Sequence, residues 1–440
     1  MVKLFFAVPP FSEILPSLPL DRWLARANTA PESKVLSILR RSADQSGALS
    51  LDDFAALLSP AATPHLEEMA AASQRLTQKF FGKTIRFFAP LYLSNECVNI
   101  CQYCGFSRNN AIPRITLPVT QVAEETRRLA QRGFRSLLLV AGEHPKFVSN
   151  GYVADCIRHC LPHTPQVALE LGPLETPEYL PLVAAGAEGL VVYQETYHEP
   201  TYRELHTAGP KKHYAWRLDA LERGYAAGFR RLGIGALFGL HDWRAEALAL
   251  AAHARHLHKH CWRAYLTVAL PRMRPAAGGF QINPANALGD REYAQLLCAL
   301  RLLLPHAGLV LSTREPAHLR DGLCRLGVTH MSAGSSTEPG GYSHFDENQW
   351  TPTRAQPGEQ FHIADERPPH VIADMLRRQG LEPVWKDHDV ALAGPLAPAD
   401  SPHSAGQQNE REHAATTITA TATENLPASS SPSSTVNRKL

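Results

Sequence analysis

Cys97, Cys101 and Cys104 stand within eight residues at the spacing C-x3-C-x2-C, inside Asn95 to Asn109, NECVNICQYCGFSRN. Three soft thiolates so placed converge on one metal centre, and thiolate-rich sites select zinc or iron–sulfur clusters. A closed zinc tetrahedron needs a fourth Cys or His, usually from a second short-spaced pair. No second C-x2-C pair occurs, and the next histidine along the chain, His144, lies a predicted helix and strand away. On a four-iron cluster, three ligands leave one iron open to a substrate or cofactor. Buried structural cysteines are the alternative use, and three at this spacing on one loop argue against it.

With Tyr103 before the last cysteine, C-x3-C-x-aromatic-C resembles the signature of the radical S-adenosylmethionine (SAM) superfamily. LYLSNECVNICQYCGFSRNN, LVAGEHP, YQETYH, GIGALFGLHDWR, LSTRE and MSAGSSTEPGGYS resemble, in the same order, segments of the 2-iminoacetate synthases, the tyrosine lyases of thiamine thiazole biosynthesis. The resemblance spans roughly residues 35–390. It implies one 4Fe–4S cluster, SAM as second cofactor, and L-tyrosine as substrate. Products would be 2-iminoacetate and 4-methylphenol, with methionine and 5'-deoxyadenosine from SAM. It further implies a flavodoxin- or ferredoxin-type electron donor and thiazole synthase as the receiver of 2-iminoacetate.

Composition sets wider bounds. The 440 residues are 44% hydrophobic and 20% charged, ordinary for a globular chain with a large core. Net charge is +2, so neither nucleic acid nor an acidic membrane surface is an expected partner. No apolar run approaches the roughly 18 residues of a spanning helix, and Pro9 and Pro10 interrupt the short apolar start before a signal-peptide core forms. Eight cysteines, three of them clustered, fit a reducing, cytoplasmic compartment and not a disulfide framework.

The elements that must position the cysteines follow from periodicity. Residues 33–82 read as helices, with Ser50 and Asp53 as a capping box, Thr63 and Pro64 as a helix start and Gly82 as a stop. Eight strand-length apolar segments then alternate with helical patterns: 87–94, 136–142, 166–172, 189–195, 231–239, 264–270, 308–314 and 329–335. This predicts an α/β fold, a TIM-like (β/α)8 barrel of the radical SAM kind, with a helical extension over 1–84, the barrel and a C-terminal cap over 85–390, and a disordered low-complexity tail over 391–440. Every segment named above then falls at a carboxyl strand end, where such barrels place their chemistry.

Site expectations follow. Tyr103 packs on the cofactor or fills a hole in the loop. Gly142 permits close approach and Glu143 neutralises an ammonium, similar to the family's site for the SAM amino group. Glu195 and Arg217 are similarly placed for the ribose or ammonium and the methionine carboxylate. Gly233-Ile234-Gly235 lies inside a strand, which removes the phosphate-binding mechanism of a dinucleotide motif; close approach of Ile234 to adenine is the better use. Arg314, with Ser312 before it, suits two-pronged capture of an amino-acid carboxylate, a salt bridge to Glu315 being the plain alternative. Gly334 to Ser343 reads as a mobile polar loop over the site. His253, His256, His258, His260 and Cys261 form a histidine-rich helix end without a clear metal-binding pair, and Cys156 and Cys160 read as buried structural cysteines.

The rivals are tryptophan lyase, a tyrosine-cleaving hydrogenase maturase and a non-catalytic metal scaffold. The maturase needs further cysteines in a C-terminal domain, and the last one here is Cys324.

Overall fold

The computed structural model describes residues 9–43 and 48–386, apart from 347, 349, 351, 354 and 356. The tail expected over 391–440 lies outside the described residues.

Eight parallel strands form the barrel: β1 Thr84–Ser94, β2 Ser136–Ala141, β3 Gln166–Glu170, β4 Gly189–Glu195, β5 Arg231–Ala236, β6 Tyr265–Ala269, β7 Gly308–Leu311 and β8 His330–Ser332. They follow one another in chain order, and β8 returns to β1 through Arg86↔His330, Phe87↔Met331 and Phe88↔Ser332, which closes the sheet. All eight predicted strands are present. Their near-continuous apolar runs reflect burial on both faces. Along β2, Leu137 and Leu139 join the core between sheet and outer helices, while Leu138 and Val140 join an inner cluster with Tyr92 and Phe106. That is the period-two alternation of a strand.

A short strand at Glu382–Val384 adds to the start of β1, with Thr84 opposite Glu382, and Trp385 meets Phe87 and Phe134 edge-on. Among the described residues no helix is long and apolar enough to cross a membrane.

The N-terminal helices begin earlier than the sequence suggests, at Phe11–Ile14, followed by Leu20–Thr29, Glu32–Ala43, Leu51–Leu57 and Leu66–Phe81. Ser50 and Asp53 form the expected capping box. The start at Thr63 is displaced: a 3-10 turn over Pro60–His65 intervenes, and Leu66–Phe81 has no side-chain cap. Tertiary hydrogen bonds replace it. The Gln295 amide donates to the carbonyls of Leu57 (2.8 Å) and Ser59 (3.0 Å), fastening this corner to the helix Asp290–Leu303.

The segment 334–343 departs most from expectation. It is buried from Gly334 to Tyr342. Glu125, fully buried on the helix Val119–Gln131, accepts the Tyr342 N–H (3.0 Å) and the Ser343 hydroxyl, and the Tyr342 hydroxyl donates to the Pro90 carbonyl at 2.6 Å. Its polar residues are internal fasteners, not a solvated lid.

Candidate active site

The cluster loop leaves β1 after Ser94 and is held by side chains that satisfy its backbone. The Arg114 guanidinium donates to the carbonyls of Asn95, Phe106, Ser107 and Asn110 at 2.7–3.1 Å. The Asn110 amide donates to Cys104, Gly105 and Ala277. A two-residue strand, Ile100–Cys101, pairs antiparallel with His206–Ala208, so the middle cysteine is fixed from the excursion after β4. Gly142 is needed here for space: a Cβ on it would stand 2.3 Å from the Glu96 carbonyl oxygen. The close approach it permits is thus to the cluster loop.

The three cysteines are free thiols, with Cys101 buried and the other two half-buried. Burial pushes the thiols of Cys101 and Cys104 up, and Lys211 pulls both the other way. Thiols so placed lose their protons to a bound metal. Among the described residues no three His, Cys, Asp or Glu side chains converge as the ligands of a single ion do. A 4Fe–4S cluster takes each thiolate at a different iron, so donors spread around a volume suit it. Amide donors face two of the sulfurs: Asn99 Nδ2 lies 3.6 Å from Cys97 Sγ, and Gln360 Nε2 lies 3.9 Å from Cys104 Sγ. Such donors tune cluster potential. The residues present fit the cluster.

Beside the loop runs a buried charge relay. Glu195 ends β4 with φ +73°, a left-handed backbone that a non-glycine residue adopts at a cost and that here aims its carboxylate. Lys211 Nζ lies 2.7 Å from Glu195 Oε1, and Arg217 follows at 3.5 Å while its Nε donates to the Tyr193 carbonyl. Burial alone raises the Glu195 carboxyl, but Lys211 and Arg217 outweigh it and hold it below the ordinary range. Asn99 binds the relay to the loop: its amide donates to Glu143 Oε2 (2.7 Å), and its oxygen accepts the Lys211 backbone N–H at 3.0 Å. Glu143, Glu195 and Arg217, spread over some 75 positions of sequence, thus share one network.

Tyr103 is placed by a residue the sequence did not flag. Its hydroxyl meets His206 Nε2 at 2.7 Å, and His206 Nδ1 lies 2.7 Å from the Tyr202 carbonyl. A carbonyl only accepts, so Nδ1 carries the proton and the Tyr103 hydroxyl donates to Nε2. Burial and then Lys211 press His206 down to about 3, which keeps it neutral. The ring of Tyr103 lies under the Lys211 ammonium, 5.6 Å from it.

The barrel mouth holds a cavity lined by Tyr92, Glu170, Tyr193, Tyr293, Ser312, Arg314 and Phe361. A second space shares Glu170, Tyr193, Arg314, Gln360 and Phe361 with it and reaches Tyr103, Cys104, Glu195 and Lys211. The space beside Cys104 and the barrel mouth therefore adjoin one another. Arg314 does not pair with Glu315. That carboxylate belongs to Arg272, whose Nε donates to it at 2.8 Å. Among the described residues the Arg314 guanidinium has no ion pair and no side-chain hydrogen bond; it stacks 3.4 Å above the Phe361 ring. Ser312 lines the same wall, and its hydroxyl accepts the Arg314 backbone N–H at 3.4 Å.

Ile234 stands apart from this cavity. It is buried in the barrel wall between Val192 and Val268, while a Cβ on Gly235 would meet the Tyr193 ring at 2.7 Å. His253 stacks flat on Phe11 and bonds the Tyr197 hydroxyl, and His256 pairs with Glu222, so the histidine-rich helix fastens the N-terminal segment. Cys156 and Cys160 are buried, as expected.

Residues 269–382 match the Biotin and Thiamin Synthesis associated domain. The chain is 43% identical over 345 residues to 2-iminoacetate synthase of Escherichia coli K12, covering 78% of this chain and 89% of that enzyme. It is 42% identical over 342 residues to the Salmonella typhimurium enzyme of the same name, covering 78% and 88%. Among solved structures, the FeFe-hydrogenase maturase HydG superposes with TM-score 0.77 at 30% identity over 83% of this chain and 79% of that one. HydG from Carboxydothermus hydrogenoformans gives 0.76 at 31% over 86% and 85%. Methylornithine synthase, at 19% identity and TM-score 0.63, shares the barrel fold. With this similarity along most of both chains, and with the three cysteines, the buried ion-pair network and the open arginine gathered at one barrel mouth, the chain belongs to the 2-iminoacetate synthase family of radical SAM lyases.

Proposed function

We propose that the chain cleaves the Cα–Cβ bond of L-tyrosine to 2-iminoacetate and 4-methylphenol. The observation that carries this reading is Arg314, a guanidinium without a carboxylate partner among the described residues, in a cavity that continues to Cys104. Cys97, Cys101 and Cys104 would hold one 4Fe–4S cluster. Bound there with SAM and reduced by one electron, the cluster would supply radical chemistry able to remove a hydrogen atom from the substrate amine.

The chain's own part is binding, orientation and exclusion of water. Arg314 takes the tyrosine carboxylate in a two-pronged contact that a lysine cannot make, with Ser312 beside it. Glu143 would face the amino group of SAM, Glu195 its ribose or ammonium, and Arg217 its methionine carboxylate. Tyr103 lines the space beside Cys104 and Lys211, Gly142 lets the end of β2 approach the cysteine loop, and Ile234, from within the wall, would reach the adenine of SAM only through its backbone. An acidic flavodoxin- or ferredoxin-type protein would deliver the electron, and thiazole synthase would receive 2-iminoacetate, in the cytoplasm.

Anaerobic reconstitution with iron and sulfide, followed by SAM, reductant and either tyrosine or tryptophan, tests the reading. 4-Methylphenol and a two-carbon imine from tyrosine support it. Turnover of tryptophan alone replaces it with tryptophan lyase, and the absence of methionine formation removes radical chemistry altogether.

A further inference from the structure

Three carboxylates line the joined cavities, and two of them are committed. Glu195 is held by Lys211 and Arg217, and Glu315 by Arg272. The carboxylate of Glu170, the last residue of β3, has no hydrogen bond and no ion pair among the described residues, yet Glu170 lines both the space beside Arg314 and the space beside Cys104. Its charged neighbours come from several elements: Glu195 from β4, Arg314 from the end of β7, and Arg217 and Lys211 from the excursion after β4; the rings of Tyr92 and Tyr193 feel its charge in turn.

We propose that Glu170 accepts the proton of the substrate ammonium and so leaves the neutral amine that the lyase reaction requires. The proposal rests on the reading of Arg314 as the carboxylate anchor. In an α-amino acid one carbon separates carboxylate and ammonium, so a molecule anchored at Arg314 keeps its ammonium within the same cavity, whose wall Glu170 shares. There a cation and an uncommitted carboxylate form a cradle of the matching polarity. In the transfer an N–H bond breaks and an O–H bond forms on the Glu170 carboxyl. The ammonium loses its positive charge, the carboxylate its negative one, and no electron moves.

The surroundings favour that exchange. Burial first, and then the Glu195 carboxylate, lift the Glu170 carboxyl to about 7, against the pull of Arg314, Arg217 and Lys211. A peptide α-amino group, with no free carboxylate beside it, titrates near about 8, and a substrate carboxylate neutralised by Arg314 brings the ammonium toward that case and so toward Glu170. Two opposite charges become two neutral groups, which a half-buried site also favours.

The test compares L-tyrosine with 3-(4-hydroxyphenyl)propanoate, which keeps the carboxylate and phenol but lacks the amine. Each is titrated calorimetrically into reconstituted, SAM-loaded, unreduced protein matched for iron content. Glu170→Gln is expected to weaken tyrosine binding by about tenfold or more and to leave the propanoate unaffected or tighter. Glu170→Asp keeps the charge and is expected to recover part of the tyrosine affinity; it also serves if the amide variant fails to load. In turnover, 4-methylphenol formation by Glu170→Gln should rise steeply toward pH about 9, where solution supplies the neutral amine, while wild type stays flatter. Equal weakening of both ligands makes Glu170 a structural residue and overturns the proposal, as does an unchanged tyrosine affinity with an unchanged pH profile. Failure of wild type to bind either ligand strikes the substrate reading itself, and is seen before any Glu170 variant is measured.

Discussion

The Arg314 guanidinium carbon lies 3.4 Å from the centroid of the Phe361 ring. A stacked arginine is held in place by its flat face and keeps its N–H edge free. The ring itself is fixed from two sides: the Phe361 carbonyl accepts the Thr337 hydroxyl (2.8 Å), and the Ala364 N–H donates to the Thr313 carbonyl (2.9 Å), one residue before the arginine. A segment some fifty positions downstream therefore holds the Arg314 guanidinium where it faces the barrel mouth.

Removing that group should uncouple the two halves of the reaction. Arg314→Ala is expected to lower the ratio of 4-methylphenol to 5'-deoxyadenosine by on the order of 100-fold, since a misplacement of about 1 Å can cost that much. Arg314→Lys should rescue little, and Phe361→Leu should raise the tyrosine KM by about tenfold or less through lost stacking. An unchanged ratio in the alanine variant takes Arg314 out of the substrate site.

Cluster loading provides a second check. Reconstituted protein should hold about four irons per chain, and Cys97→Ala, Cys101→Ala or Cys104→Ala should abolish SAM cleavage to methionine. Cys156→Ala and Cys324→Ala should change neither iron content nor cleavage, since both are buried in the apolar core. Iron assay and product analysis on one preparation decide this, and about eight irons would point to a second cluster.

Gly105 offers a steric test of the link between loop and cap. A Cβ there would stand 2.5 Å from the backbone oxygens of both Glu359 and Gln360, while the Gly105 N–H donates to Gln360 at 2.9 Å. Backbone cannot yield as a flexible side chain does, so Gly105→Ala must displace the segment that carries Gln360 and Phe361. The expected result is an about tenfold or greater loss of coupled turnover, through the same misplacement as above, with a normal far-ultraviolet spectrum. Turnover equal to wild type shows that the cap does not need this seat.

Asp53 gives a pH-dependent stability prediction away from the site. Burial alone raises its carboxyl, yet Lys34, the Ser50 N–H and hydroxyl, and Arg41 together hold it well below the ordinary range. A depressed folded value means the stabilisation is full above the unfolded value, near about 4, and drains away as pH falls below it. Asp53→Asn should therefore cost about 1–2 kcal/mol at neutral pH. Melting curves at descending pH should show the gap between variant and wild type closing below pH about 4, and a constant gap contradicts the linkage.

The capping box at Ser50 and Asp53, the eight strand segments and the cysteine spacing were legible because each is a local pattern. A turn, a period or an eight-residue loop contains its own cause. The same holds for Arg314, whose place at a strand end follows from counting strands. Its freedom from Glu315 did not follow, because that carboxylate is claimed by Arg272, on the chain between β6 and β7.

Lys211, His206, Glu170, Gln360 and Phe361 escaped the sequence for a related reason. None has a telling neighbour in the chain; one signal was available for Glu170, a lone carboxylate ending an apolar strand where barrels place their chemistry. The buried course of Gly334 to Tyr342 was equally hidden, since its Ser, Thr, Gly and Glu residues have the composition of a solvated loop and its partners, Glu125, Pro90 and Phe361 among them, lie far away in the sequence. Sequence alone determined the period of the elements, the order of the strands and the grouping of the three cysteines on one loop, each a pattern legible along the chain. Tertiary structure decided which charges are paired and which are left open, because the partner of a buried charge is chosen by whatever strand, loop or cap the closed barrel brings against it.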